Sequence, residues 1–139
     1  MNIQKYKDEL MLIGRVLASI LFIVAGFSKI GTFAGTSAYV GTVLPFPEVI
    51  TALVIVIELV GGLMVLVGFR MQLAASSIAI FSILAAFLFH FDLADQMQSG
   101  QFMKNLSIAG GFIYLALVGP GKYSLGRMMG KKAPVTPAM

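Results

Sequence analysis

Cysteine is absent from the 139 residues, and so is tryptophan; histidine occurs once, and charged residues make up only 12%. Without cysteine there is no structural disulfide, no thiolate metal site and no dithiol to pass electrons through the protein. One histidine leaves no pair to ligate haem across two helices, and no Ser-His-Asp set or Gly-rich phosphate loop after a strand is present. His90, Asp92 and Asp95 give one imidazole and two loop carboxylates, too sparse a set to predict a metal. The scarcity of charge sits beside a hydrophobic fraction of 58%, against roughly 45–50% apolar and about 25% charged in soluble domains. A chain this short has too little interior to hide so much apolar surface, so most of it must face lipid. The formal charge is +4, but the basic residues gather beside apolar segments. That is a juxtamembrane pattern and gives no reason to expect a nucleic-acid partner.

A helix needs about 20 apolar residues to cross roughly 30 Å of hydrocarbon. Four segments qualify, at about 10–30, 49–69, 73–91 and 102–119. The fold expected is therefore all-α: one domain over 1–139, an integral membrane bundle of four transmembrane helices. Lys5 and Lys7 before the first run resemble a secretory signal, but the run is long, contains Arg15 and lacks a small-x-small cleavage site. It reads as a retained helix. Between the first two spans, Gly31 to Pro47 carries Phe33, Tyr39, Leu44 and Phe46, and predicts a short interfacial or re-entrant helix with aromatics at headgroup level. Gly68 to Gln72 predicts a tight turn. Gly119-Pro120-Gly121 ends the last helix, because proline cannot continue the ladder. A basic tail over 120–139 follows, with Ser124 to Lys132 along the membrane surface and Pro134 to Met139 disordered.

With the ends inside, Lys5, Lys7, Arg15, Arg70, Lys122, Arg127, Lys131 and Lys132 fall on the cytoplasmic side, eight of the ten basic residues. Only Lys29 and Lys104 remain outside. The positive-inside rule then predicts a multi-pass protein of the bacterial inner membrane with both termini cytoplasmic.

Helices in lipid associate through close packing of small residues. Steps of three and four define one such face per helix: Arg15, Ser19, Phe22, Gly26 and Lys29; Thr51, Glu58, Gly61, Gly62 and Val65; Ala75, Ala79, Ser82, Ala86 and His90; Lys104, Ser107, Gly111 and Tyr114. The pairs Gly61-Gly62 and Gly110-Gly111 read as helix contacts. The polar candidates on or near these faces are Arg15, Lys29, Glu58, His90, Lys104 and Asn105. Glu58 is the most informative, since an acid at mid-span costs about 2.5–3.5 kcal/mol on translocon scales. It either locks one helix to another by pairing or faces a ligand or proton path. Arg15 either snorkels to headgroups or reaches Glu58 across a depth gap of about 8 Å, forming one interior network. Lys29, His90, Lys104 and Asn105 should gather near the outer surface, as interface anchors or as a cluster suited to a quinone head, an anion or a lipid.

The chain resembles the DoxX family of small four-helix bacterial membrane proteins. The resemblance rests on Arg15 and Gly26-Phe27-Ser28-Lys29, on Glu58-Leu59-Val60-Gly61-Gly62 and Gly68, and on Phe87-Leu88-Phe89-His90. Phe102-Met103-Lys104-Asn105-Leu106 and Gly119-Pro120-Gly121-Lys122-Tyr123-Ser124-Leu125 complete it. What the resemblance implies is the four-helix fold and, from some relatives, a subunit of thiosulfate-to-quinone or oxidant-defence oxidoreductases. Distant relatives include cargo receptors, which are not enzymes. The fold also resembles quinone-linked disulfide-forming proteins, from which this chain departs by having no cysteine. No cofactor is fixed by the residues, and a quinone is the one the resemblance admits. Two readings stay open: an accessory subunit of a quinone-linked oxidoreductase, or a bundle without a redox role that binds or moves a lipid or small anion or scaffolds a partner. The partners expected are the lipid bilayer, oxidoreductase subunits and a second copy of the chain. Whether the chain has a catalytic activity is not decided by its residues.

Overall fold

The computed structural model describes residues 1–130. A 3-10 turn at Ile3–Tyr6, capped by the Asn2 side chain, leads into helix α1 (Lys7–Gly31). Helix α2 (Phe33–Val40) follows, and then the second long rod: α3 (Pro47–Ile55), a π-helical turn (Val56–Val60) and α4 (Gly61–Val67). Helices α5 (Met71–Phe89) and α6 (Gln96–Val118) complete the bundle, and a single turn, α7 (Leu125–Met128), closes the described chain. No strand occurs among the described residues. Four helical stretches are long and apolar enough to cross a membrane: Ile3–Gly31, Pro47–Val67, Met71–Phe89 and Gln96–Val118. The expectations for 131–139, including Lys131, Lys132 and the disordered Pro134 to Met139, lie outside the described residues.

The core is made where small residues allow close approach. A Cβ on Gly26 would stand 2.7 Å from the Leu59 backbone nitrogen, and one on Gly62 would stand 2.9 Å from Ile23 Cγ1. These two glycines let α1 and the second rod touch backbone to backbone, as small residues do in lipid. Ala74, Ala75, Ile78 and Ala79 of α5 pack with Val65, Phe22 and Phe112 into one cluster. The inner faces expected for the first three spans are observed. Arg15, Ser19, Phe22 and Gly26, then Thr51, Glu58, Gly61, Gly62 and Val65, then Ala75, Ala79, Ser82 and Ala86 are all buried.

The fourth helix differs. It begins at Gln96, six residues before the expected start, because Asp95 caps it by accepting from the Gln98 N–H at 2.9 Å. Its buried residues are Phe102, Ala109 and Phe112, whereas Lys104, Ser107, Gly111 and Tyr114 face outward. Among the described residues nothing lies within 4 Å of a Cβ built on Gly110 or Gly111, so this glycine pair is no helix contact inside the bundle. Here aromatic bulk sets the packing: Phe112 meets Phe22 edge-on at 5.2 Å and Phe102 meets Phe87 likewise.

The segment between the first two spans does fold as a helix, and it is docked on the second rod. Ser37 and Val40 of α2 are buried, and Ser37 Oγ donates to Thr51 Oγ1 at 3.1 Å. The start of α1 and the segment after α6 meet at the opposite end of the bundle. The Lys122 N–H donates to Asp8 Oδ1 at 3.4 Å, and Gly121 lies against the Met11 side chain.

Candidate functional site

Glu58 sits near the middle of Pro47–Val67, inside the π-helical turn. There the Gly61 N–H bonds the Val56 carbonyl five residues back, the extra residue of a π-bulge, a device frequent at functional positions. The turn presses the Leu59 backbone against Gly26 of α1. Gly26 and Lys29 are three apart, on one face of α1. The glycine that seats α1 on the bulge therefore also brings Lys29 over Glu58. Lys29 Nζ donates to Glu58 Oε2 at 2.8 Å, with the two side chains 27% and 7% exposed.

The expected Arg15–Glu58 network does not form. In a helix each Cα–Cβ bond tilts toward the N-terminus. On α1 that tilt carries Arg15 away from Glu58, toward the chain ends, and carries Lys29 down into the span toward it. Arg15 is 1% exposed and donates through its two terminal nitrogens to the carbonyls of Pro120 and Tyr123, the latter at 2.6 Å. Its Nε has no hydrogen-bond partner among the described residues. Around it the Gly126 N–H donates to the Gly68 carbonyl at 3.2 Å, and Ser124 Oγ donates to the Gly121 carbonyl at 2.9 Å. Gly68 has φ 71°, and a Cβ there would collide with the Arg15 guanidinium. Arg15 thus neither snorkels to solvent nor joins Glu58. It clasps the segment after the last span to the turn between the second and third.

The remaining polar candidates converge on one chamber of about 260 Å³. Lys29, Glu58, His90, Lys104 and Asn105 all line it. His90 Nδ1 and Gln98 Oε1 are 2.7 Å apart, tying the end of α5 to the start of α6. Asn105 Nδ2 donates to the Gln101 carbonyl at 3.0 Å, which leaves its side-chain oxygen free to accept. Lys104 makes no hydrogen bond or ion pair among the described residues. Phe22, Phe81 and Phe89 supply apolar wall. Asp92 and Asp95 are occupied elsewhere, accepting from the N–H groups of Ala94, Asp95 and Gln98.

Reading the sequence missed three polar wall residues: Thr36, Tyr39 and Gln101. Tyr39, expected at headgroup level, has its ring 5.6 Å from that of Phe89 at the end of α5, and its hydroxyl donates to the Phe89 carbonyl at 3.4 Å. Gln101 falls just outside the expected span of 102–119, whereas the helix starts at Gln96. Asp95, three residues before Gln98 and ahead of a helical run, was the signal that would have included it.

Chemically, the chamber offers two ammonium groups, an imidazole and a carboxylate against aromatic walls. Such a wall can donate to carbonyl or anionic oxygens and accept from a hydroxyl. Comparison with known proteins agrees with a membrane setting. The DoxX family model matches residues 10–91. The chain is 45% identical over 129 residues to inner membrane protein YqjF of Escherichia coli (strain K12), covering 93% of this chain and 98% of that one. It is 31% identical over 139 residues to inner membrane protein YphA of the same organism, covering 91% of this chain and 99% of that one. No solved structure matches the chain.

Proposed function

The chain belongs to the DoxX family of inner membrane proteins, and on that premise we propose that it is an accessory subunit of a quinone-linked oxidoreductase system, holding the quinone head in the chamber at Lys29 and Glu58. One observation carries the reading: the Lys29–Glu58 pair, at 2.8 Å, forms part of the wall of a cavity instead of being sealed between helices. A pair needed only to lock two helices is best enclosed on all sides. A pair facing a cavity keeps lone pairs and protons available to a guest. The cavity, about 260 Å³, is close to the lower bound of roughly 300 Å³ for small-molecule sites. That suits one substituted ring better than a large cofactor. Lys29 and Lys104 would hold ring oxygens as donors, and Glu58 would accept from a hydroxyl, as would His90 Nε2 while its Nδ1–H donates to Gln98 Oε1. A quinone, when bound, supplies two-electron redox chemistry; with no cysteine in the chain, the electrons would come from a partner subunit.

The positive-inside bias supports a topology with both termini cytoplasmic, which places the chamber in the outer half of the membrane. Lys104 has no acidic partner among the described residues, and this favours a second occupant, an anionic lipid or small anion, in a protein without a redox role. Mass spectrometry of the small molecules that travel with gently purified protein separates the two. A quinone near one per chain is the expected result. An anionic lipid with no redox-active species would replace the redox reading with the second.

A further inference from the structure

We propose that the ligand reaches this chamber sideways from the hydrocarbon, through the seam between α1 and α6, and that its apolar tail stays in that seam while its head occupies the polar end. The inference rests on the proposed occupancy of the chamber. It adds the route and a requirement on the ligand: a membrane-dissolved molecule with a tail, as opposed to a water-soluble anion.

Helix α1 packs on the second rod, α4 on α5, and α5 along α6, but α1 and α6 come together only sparsely. The seam between them is pinned at one level by the edge-on contact of Phe22 with Phe112. Beyond that contact the two helices part around the chamber. Leu21, Ala25 and Lys29 stand on one side, and Lys104, Asn105 and Ile108 on the other. Of all residues lining the chamber, only Leu21, Tyr39 and Lys104 are exposed. Two of these three mark the lips of the seam.

The third belongs to a cover. At the end of the bundle where α2 lies, Tyr39 stacks on Phe89 and donates to its carbonyl, and Val40 is buried beneath. His90 and Gln98 join the ends of α5 and α6 beside it. The approach from water is therefore held shut by aromatic and hydrogen-bonded contacts, and the approach from lipid is bordered by Leu21 and the flexible Lys104. A Lys at that lip can swing its ammonium toward headgroups while its stem lies on the apolar wall, which fits a lip that a tail must pass.

The test uses the full chain in nanodiscs with a decyl-tailed benzoquinone carrying a diazirine at the tail's end, and peptide mapping of the photoproducts. The expected result is labelling on the α1 and α6 flanks of the seam, at residues such as Leu17, Leu21 and Ile108, abolished by excess unlabelled decyl benzoquinone. Leu21→Trp, a change at an exposed position that should leave folding intact, is expected to reduce this labelling about tenfold by crowding the lip. Competable labelling on α2 and the start of α3, around Ala34, Ala38 and Pro47, would overturn the lateral route while keeping the chamber's occupant. Absence of any competable labelling would overturn the quinone occupant itself, and the route with it.

Discussion

At the scale of single residues, the protein separates two cations of α1 that look alike in the sequence. Lys29 neutralises an acid, and Arg15 holds backbone carbonyls. Removing Lys29 leaves Glu58 without its counter-charge inside a low-dielectric bundle, so Lys29→Met should cost about 3–5 kcal/mol. The pair Lys29→Met with Glu58→Leu should recover most of that loss, because two well-packed apolar residues need no partner. A double-mutant cycle on unfolding in bicelles measures the coupling, and a double variant as unstable as Lys29→Met alone would contradict the pairing. The same cycle run on Arg15 and Glu58 should be additive within about 0.5 kcal/mol, since they share no partner. Gly68→Ala should destabilise by about 1–3 kcal/mol, from the left-handed backbone and the collision with the Arg15 guanidinium together. Wild-type thermal stability in that variant would mean that the clasp around Arg15 is not rigid.

The polar candidates were legible because charge inside a membrane is rare and has to be explained. Their partners were not, because depth along a helix axis is only half of the geometry. Counting residues put Arg15 within reach of Glu58, but the tilt of Cβ toward the helix N-terminus decides the matter, and it favours Lys29. The Pro120 and Tyr123 carbonyls that satisfy Arg15 were illegible for another reason. They lie more than a hundred positions along the chain, on a loop with no periodicity to place it.

At the scale of elements, three inner faces follow from small residues at steps of three and four, and the fourth does not. The reason lies in what each helix meets. Helix α1 must fit the backbone of the π-turn, so only Gly26 serves there; α6 meets α5 and α1 through Phe102 and Phe112, with Ala109 buried on the same helix, and Ser107 and Gly111 are left outside. Enlarging Gly26 or Ala79 to Leu should therefore destabilise by at least about 1–3 kcal/mol through overpacking. Gly111→Leu, with no neighbour near its added side chain, should stay within about 0.5 kcal/mol of wild type. Thermal scans of the three variants in one detergent decide this. A Gly111→Leu protein as damaged as Gly26→Leu would return the Lys104–Tyr114 stripe to the interior. The π-turn was not visible in the sequence, because Val-Ile-Glu-Leu-Val carries no mark that separates a π from an α turn.

At the scale of the whole molecule, the bundle is polarised. One end holds the clasp of Arg15 with the start of α1 and the segment after α6 beside it, and the other holds the chamber under α2. The proposed topology puts the clasp at the cytoplasm, and the absence of native cysteine makes it simple to test. Thr42→Cys should react with an impermeant maleimide in intact cells, and Asn2→Cys and Pro134→Cys should not. Labelling of either terminus in sealed cells would reverse the arrangement.

The central claim is that the Lys29–Glu58 wall is a binding surface and not only a brace between helices. It is tested most directly by titrating a decyl-tailed benzoquinone into wild-type protein and into the Lys29→Met, Glu58→Leu double variant, both in nanodiscs and both shown to be folded. Saturable binding by the wild type is expected, and at least about a hundredfold weaker binding by the folded double variant, the loss of two polar contacts at roughly 1.4 kcal/mol each. Equal affinity in the two proteins would contradict it, and would leave the pair as a structural brace alone.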